Sequence, residues 1–205
     1  MAALLRMRSG DTAGMNAASA SALPTVIVLA SGRGERFLAA GGSGSKLRAL
    51  LAGRAVLEHT LAAVRASGLP WHLEDAGHPG MGDSIAAAVR ATADAAGWLI
   101  LPGDLPLILP ATLQLVARAL AGPMQAAQPH YRGERGHPVG FAAGCGPRLA
   151  ALAGNMGAAP VLRALRDVSA VADIEVDDVG IVTDIDTPEA LARAEALLAA
   201  RLSAS

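Results

Sequence analysis

The chain has 205 residues and a formal net charge of −1, which suits one domain with its own hydrophobic core, or one domain plus a tail. Hydrophobic residues reach 52 % but aromatic residues only 2 %, so the core must be packed from Leu, Val, Ile and Ala, as in helix-flanked parallel sheets. The balanced charge argues against a nucleic-acid partner. No apolar run approaches the roughly 20 residues that cross a bilayer, so no membrane partner is expected.

Composition along the chain predicts a short N-terminal tail followed by one domain with a single cysteine. Residues 1–23 are rich in Ala, Ser and Gly and lack the apolar core of a signal peptide, so we expect a disordered N-terminal tail. Residues 24–205 are expected to form one domain, because no repeat or second domain is visible. The single Cys145 excludes an internal disulfide and fits the cytoplasm, where it is interpreted as a packing residue.

Apolar runs and helical periodicity alternate along the chain. Strands are predicted at residues 25–30, 71–74, 98–102, 124–128 and 138–142, and extended segments at 171–176 and 181–184. Helices are predicted at 55–66, 84–96, 111–121, 157–166 and 187–202. This alternation predicts an α/β fold, a three-layer α/β/α sandwich with a mainly parallel, Rossmann-like sheet.

A glycine- and arginine-rich loop follows the first strand, at the sheet edge where α/β proteins bind ligands. Gly32 and Gly34 permit close approach of backbone amides to an anion, and Arg33 and Arg36 add donors suited to phosphate oxygens. The loop is neither a Walker A motif nor a dinucleotide fingerprint, and a merely structural turn is the alternative interpretation.

Lys46 is the only lysine among 17 basic side chains. It lies in a Gly/Ser-rich segment behind the glycine loop, which suggests a site that needs a compact ammonium group. The chance placement of one lysine is the alternative.

Three carboxylates are candidate metal ligands. Asp104 follows the second buried strand between Gly103 and a rigid Leu-Pro pair, a position suited to Mg²⁺, although it could also cap the turn. Asp184 and Asp186 precede a helix start at Thr187, so Asp186 is interpreted either as a metal or substrate ligand or as a charge that favours the helix N-terminus.

Two further polar segments could contact a ligand. In residues 80–84, backbone amides and the Ser84 hydroxyl open a helix and could bind a polar ligand edge, or Asp83 or Ser84 could simply cap the helix. Arg135 and His137 place a cation and an imidazole in one polar loop. The other histidines lack metal-ligand spacing and are interpreted as surface or packing residues.

Taken together, these motifs resemble the MobA-like NTP transferase family, and within it the molybdenum-cofactor cytidylyltransferase branch. Residues 29–37 with Lys46 match its opening loop, residues 80–84 its Gly-Met-x-x-Ser segment, and residues 103–106 its Gly-Asp-Met-Pro metal motif. Two further family motifs follow in the same order along the chain, Gly-His-Pro at 136–138 and Asp-Ile-Asp-Thr-Pro at 184–188. Two departures stand out. One strand–helix unit is missing before Gly80, and the family's Gly-Asp-x-Gly-Ala-Arg motif reads Gly-Asn-Met-Gly-Ala-Ala at residues 154–159, so it lacks the acid and the base.

The resemblance implies transfer of CMP from CTP to the phosphate of molybdopterin, with release of pyrophosphate and with Mg²⁺ as cofactor. It implies catalytic roles for Arg36, Lys46 and Asp104, metal binding by Asp104 and Asp186, and acceptor binding by Arg135 and His137. The residues that it implies for nucleotide binding are Leu29, Ala30, Ser31, Gly32, Arg33, Gly34, Gly80, Gly82, Ser84 and Gly103.

Three alternatives remain open at this point. The first loop could bind a nicotinamide dinucleotide, which would make the protein an NAD(P)-linked oxidoreductase. The changed segment at residues 154–159 could mark an inactive protein that binds the molybdenum cofactor and delivers it. Within the enzyme class, GTP could replace CTP. A molybdoenzyme or its maturation chaperone is the expected protein partner.

Overall fold

The computed structural model describes residues 23–32 and 34–203. Its strands are β1 (Thr25–Leu29), β2 (Leu50–Leu51), β3 (Arg54–Ala55), β4 (Trp71–Glu74), β5 (Gly97–Pro102), β6 (Ala126–Tyr131), β7 (Glu134–Arg135), β8 (Val139–Ala142) and β9 (Val171–Glu175). Its helices are α1 (Glu35–Ala39), α2 (Val56–Ala66), α3 (Met81–Ala91), α4 (Pro110–Ala119), α5 (Gly146–Ala150), α6 (Ala159–Asp167) and α7 (Pro188–Ser203).

Seven of these strands form one central sheet with the order β4–β1–β5–β8–β6, and β7 and β9 also pair with β6. β1 is parallel to β4 and β5, and β9 is parallel to β6. β8 is antiparallel to both β5 and β6, which therefore run in the same direction. The expected α/β fold with a mainly parallel sheet is confirmed.

Alternation along β1 separates the two faces of the sheet. Val26 and Val28 pack with Leu61 and Val64 of α2 in one core cluster. Ile27 packs in a second cluster that includes Ile85 of α3. Helices therefore cover both faces of the sheet, as a three-layer sandwich requires. None of the described helices is long and apolar enough to span a bilayer.

The third helix begins earlier and ends earlier than the predicted range of 84–96. Gly80 has an extended backbone, and α3 begins directly after it at Met81. The helix ends at Ala91 because Thr92 leaves the helical region. The Thr92 hydroxyl then donates to the Ala88 carbonyl and accepts a hydrogen bond from Trp98 Nε1. The helix termini follow these side-chain contacts rather than the apolar periodicity.

The prediction of an extended segment at residues 181–184 is wrong, because Val179–Val182 form a 3₁₀ turn. The buried carboxylate of Asp178 causes the difference. One of its oxygens accepts a hydrogen bond from the Gly180 amide. The other accepts from the Leu109 amide at 2.9 Å and from the Thr112 hydroxyl at 2.7 Å, which ties the turn to the start of α4.

Replacing Asp178 by alanine is expected to lower the free energy of unfolding by about 3 kcal/mol, because several buried donors lose their acceptor together. Urea unfolding followed by circular dichroism measures the change. Asp177→Ala removes an exposed carboxylate from the neighbouring position and is the matched control. Equal losses in the two variants would contradict the role of Asp178.

Candidate active site

A cavity of about 750 Å³ opens at the carboxyl ends of β4, β1 and β5. The loops after these strands, the connection between β7 and β8, and the segment before α7 form its wall. Parallel strands that point in one direction leave such a cleft between their outgoing loops, which is where α/β proteins bind ligands. The cavity therefore lies where the sequence motifs predict it.

Backbone conformation lets the loop after β1 pack closely against Lys46. Gly34 has a positive φ of 64° and directly precedes α1. A Cβ atom at Gly34 would lie 3.6 Å from Lys46 Cγ, so the Lys46 stem crosses over this glycine. The Gly103 amide donates to the Leu29 carbonyl at 2.9 Å, which joins the ends of β1 and β5. Arg33 lies outside the described residues.

A cluster of four charged side chains lies in the cavity. Lys46 Nζ is 2.5 Å from Asp104 Oδ2 and 2.5 Å from Asp186 Oδ1. Arg36 Nη1 donates to Asp186 Oδ2 at 2.8 Å, from a side chain that is largely exposed. Residues from three distant parts of the chain thus meet around a single ammonium group.

Mutual attraction keeps Lys46 and Asp186 charged. Burial alone would lower the pKa of Lys46, but the charge and hydrogen bonds of Asp104 and Asp186 raise it above its ordinary value. For Asp186, burial alone would raise the pKa, but hydrogen bonds and attraction from Lys46 and Arg36 hold it below its ordinary value. Lys46 is therefore an ammonium and Asp186 a carboxylate at neutral pH.

The carboxylates of this cluster fit a divalent cation. Asp104 Oδ1 is buried and has no hydrogen-bond partner among the described residues, so one oxygen remains available to a ligand. The described chain contains no group of three or more His, Cys, Asp or Glu placed to hold a metal. Mg²⁺ commonly takes one or two protein carboxylates and completes its shell with water and substrate phosphates. The donor set matches that pattern, and not an all-protein metal cage.

His137 and Arg135 line the cavity from the connection between β7 and β8, two strands that lie on the far side of β5 from β4 in the sheet. The His137 amide donates to the Ile181 carbonyl at 3.1 Å. Gly136 packs so closely on Ile181 that a Cβ atom would lie 2.6 Å from the Ile181 carbonyl. Burial lowers the pKa of His137, although a backbone hydrogen bond with Ile100 and the charges of Asp104 and Asp184 act in the other direction.

Unfolding of the protein is expected to become easier as the pH falls below about 6.5, the ordinary pKa of histidine. In that range the unfolded chain takes up a proton at residue 137 that the folded chain does not, so protonation favours unfolding. Urea unfolding at several pH values checks the slope. His137→Asn should make the slope shallower than in the wild type, and parallel curves for the two proteins would contradict the prediction.

Residues 80–84 comprise Gly80 and the first turn of α3, and they reach the cavity wall. Ser84 Oγ lies 2.9 Å from Ser31 Oγ, which connects the helix with the loop after β1. No side chain caps the start of α3 at Gly80. The Asp83 carboxylate instead accepts a hydrogen bond from the Gly154 amide at 2.9 Å. Helix capping by Asp83 or Ser84, the alternative interpretation, is therefore wrong, since the Ser84 hydroxyl donates to the Gly80 carbonyl and accepts from no amide of the described helix.

The structure brings most of the predicted site residues to the cavity wall. These are Leu29, Ser31, Gly32, Gly34, Arg36, Lys46, Gly80, Ser84, Gly103, Asp104, Arg135, His137 and Asp186. Two predicted residues are not part of the wall. Ala30 donates its amide to the Glu74 carbonyl, and Gly82 packs against the backbone of Ala153.

The wall also contains Asp184, the third candidate carboxylate, and three residues that were not predicted as site residues, His78, Glu134 and Asn155. His78 was interpreted as a surface or packing residue. Its position shortly after the predicted strand at 71–74 is the signal that could have placed it at the ligand-binding edge.

The sequence and the fold were compared with known proteins. A model of the MobA-like NTP transferase domain matches residues 26–171. Comparison with curated protein sequences gave no match. Among solved structures, Rv0371c from Mycobacterium tuberculosis H37Rv is 22 % identical with a TM-score of 0.68, over 85 % of this chain and 98 % of that one. Rv0371c has also been solved in complex with manganese.

Two other solved structures have the same fold. The nucleotidyl transferase Mth528 from Methanothermobacter thermautotroptrophicus is 22 % identical with a TM-score of 0.70, over 85 % of this chain and 97 % of that one. Molybdopterin-guanine dinucleotide biosynthesis protein A from Archaeoglobus fulgidus is 18 % identical with a TM-score of 0.58, over 85 % and 98 %. At these identities the structures show a shared fold, whereas the domain match covers well over half of the chain. The chain belongs to the MobA-like NTP transferase family and is a nucleotidyltransferase.

Proposed function

We propose that this protein transfers CMP from CTP to the phosphate of molybdopterin, with release of pyrophosphate and with Mg²⁺ as cofactor. The observation that carries the proposal is the contact of Lys46 with both Asp104 and Asp186 beside the glycine loop. An ammonium and two carboxylates at the carboxyl ends of parallel strands suit a triphosphate bound with a divalent cation.

The residues around Lys46 would position the triphosphate. Backbone amides of Gly32 and Gly34 and the guanidinium of Arg36 would bind phosphate oxygens, and Lys46 would stabilise the charge on the departing pyrophosphate. Asp104 and Asp186 would hold Mg²⁺, which, when bound, neutralises charge on the phosphates. Displacement at phosphorus needs positioning and charge stabilisation, and the acceptor phosphate brings its own nucleophilic oxygen, so no general base is required.

Arg135 and His137 would bind the acceptor. They lie on the β7–β8 side of the cavity, whereas the glycine loop follows β1. Arg135 is exposed and can pair with a phosphate, while His137 is half-buried and its Nδ1 is a buried atom with no partner among the described residues. A buried nitrogen without a partner is suited to a hydrogen bond with a bound pterin.

The choice of nucleotide and metal is also part of the proposal. Where the guanylyl branch of the family tends to carry Gly-Gly, this chain carries Ala30 and Ser31; of the two, Ser31 lines the cavity, and its extra bulk favours a cytosine. The manganese complex of Rv0371c supports a divalent cation in proteins of this fold. The archaeal protein named for molybdopterin-guanine dinucleotide biosynthesis supports a pterin acceptor.

We further propose that residues 24–205 form the catalytic domain and that the protein works in the cytoplasm. The free Cys145 supports a reducing compartment, and its side chain is buried, as expected for a packing residue. The tail predicted at residues 1–23 lies outside the described residues, except for Leu23. A molybdoenzyme or its maturation chaperone would receive the product.

The test is pyrophosphate release from purified protein incubated with Mg²⁺, molybdopterin and each NTP in turn. CTP-selective release that requires molybdopterin is the expected result. Selective release with GTP would reassign the nucleotide, and oxidation of NAD(P)H without pyrophosphate release would replace the proposal with an oxidoreductase. Tight cofactor binding without turnover would identify a delivery protein.

A further inference from the structure

Charge is distributed unevenly around the cavity. The side nearest β4 is lined by Ser31, His78, Pro79, Gly80, Met81, Ser84 and Asn155. No Lys, Arg, Asp or Glu stands among these lining residues, whereas Arg36 and Lys46 are both on the wall near Asp186. A triphosphate is therefore drawn to the cationic part, and a neutral base would lie against the side nearest β4.

On this side, His78 is held by a buried carboxylate. His78 Nε2 lies 3.2 Å from Oε1 of Glu74, the last residue of β4. The Glu74 side chain is 7 % exposed, and its Oε1 also accepts from the Ala76 amide at 3.2 Å. A carboxylate only accepts hydrogen bonds, so the imidazole tautomer that pairs with Glu74 carries its proton on Nε2, and Nδ1 of that tautomer is an acceptor.

His78 Nδ1 has no hydrogen-bond partner among the described residues, while the His78 side chain lines the cavity. The structure thus places the side chain that carries this acceptor on the part of the wall where a base would lie. Cytosine carries an amino donor at N4, whereas a pyrimidine of the uracil type presents a carbonyl acceptor at the same place. An acceptor facing an amino group forms a hydrogen bond, and two facing acceptors repel.

We propose that His78, oriented by Glu74, reads the exocyclic amino group of the nucleotide base and selects CTP over UTP. The proposal rests on the proposed nucleotidyl transfer and adds the groups that set its base specificity. His78 contacts the base as a specificity residue, and Glu74 is a positioning residue that acts by fixing the imidazole tautomer.

The chain supplies a matched control. His72 Nε2 also faces the Glu74 carboxylate, at 3.6 Å from Oε2, but His72 is not part of the cavity wall. Replacing either histidine by phenylalanine keeps a ring and removes its nitrogens. Only the variant at position 78 removes an acceptor from the cavity.

The experiment measures the Kd of CTP and of UTP by isothermal titration calorimetry with Mg²⁺ and without acceptor, so that no turnover is needed. We expect His78→Phe to weaken CTP binding about tenfold, the effect of one lost hydrogen bond, and to tighten UTP binding, because the repulsion between the two facing acceptors is removed. His72→Phe should keep the wild-type ratio of the Kd of UTP to the Kd of CTP. Glu74→Gln should lower the ratio, because an amide can accept from or donate to Nε2 and so permits both tautomers.

The outcomes separate this inference from the function on which it rests. A wild-type protein that binds neither CTP nor UTP would contradict the proposed function. A wild-type protein that binds both with equal Kd, or a His78→Phe variant that keeps the wild-type ratio, would overturn the role of His78 alone. Equal losses of the ratio in the His72 and His78 variants would do the same, because only His78 lines the cavity.

Discussion

Replacing Lys46 by arginine is expected to lower the turnover number about 100-fold to 1,000-fold, the usual effect of removing one donor that stabilises transition-state charge. Lys46 Nζ lies between two carboxylates at 2.5 Å from each, and its stem crosses Gly34. A planar guanidinium is wider than an ammonium and cannot occupy the same position. Pyrophosphate release measures the loss, and circular dichroism checks that the fold is intact.

Arg48→Lys is the matched control for this variant. Arg48 lies in the same 3₁₀ turn as Lys46, is exposed, and is not part of the cavity wall. Exchanging arginine and lysine at that position should leave turnover unchanged. A wild-type rate in the Lys46→Arg protein would remove Lys46 from the catalytic group.

Replacing Asp104 by asparagine is expected to lower turnover by about 100-fold or more and to raise the metal concentration needed for half-maximal rate. The substitution keeps the shape of the side chain but removes the negative charge from a buried position. It affects both oxygens: Oδ2 contacts Lys46, and Oδ1 has no partner among the described residues. Steady-state rates over a range of Mg²⁺ concentrations measure both effects.

Asp94→Asn removes an exposed carboxylate that is not part of the cavity wall and should change neither quantity. Binding of Mn²⁺ in the presence of CTP gives a second readout that does not depend on turnover. An Asp104→Asn protein that binds Mn²⁺ as tightly as the wild type would show that the metal takes its ligands elsewhere.

The sequence predicts the layers of the fold well because its strongest signals are local. The apolar runs that became β1 and β5 are buried on both faces of the sheet, and such runs have few alternative structures. The position of Asp104 directly after β5 follows from the same run. The general rule for α/β sheets then places Asp104 and the glycine loop at one edge.

The contact between Lys46 and Asp186 could not be predicted in the same way. The two residues are 140 positions apart, and the distance between their side chains depends on how the segment before α7 returns to the cavity. The backbone amide of Ile185 donates to the Asp104 carbonyl at 3.0 Å and fixes that return. Neither periodicity nor propensity encodes such a long-range backbone contact.

The short helices and strands also could not be predicted from the sequence. α1, α5 and the hairpin of β2 and β3 contain too few residues to produce a periodic pattern, and packing determines them instead. The position of His78 after a strand could be predicted from the sequence, but its orientation could not. A histidine gives no sign in the sequence that a carboxylate four residues earlier will orient it.

The order in which the ribosome makes the chain has a consequence for this site. Arg36 and Lys46 are made first, Asp104 much later, and Asp186 only just before α7. A nascent chain that has reached Asp104 can pair one carboxylate with the ammonium but lacks the second. The complete charge cluster, and with it any capacity to consume nucleotide, arises only after Asp186 has been made.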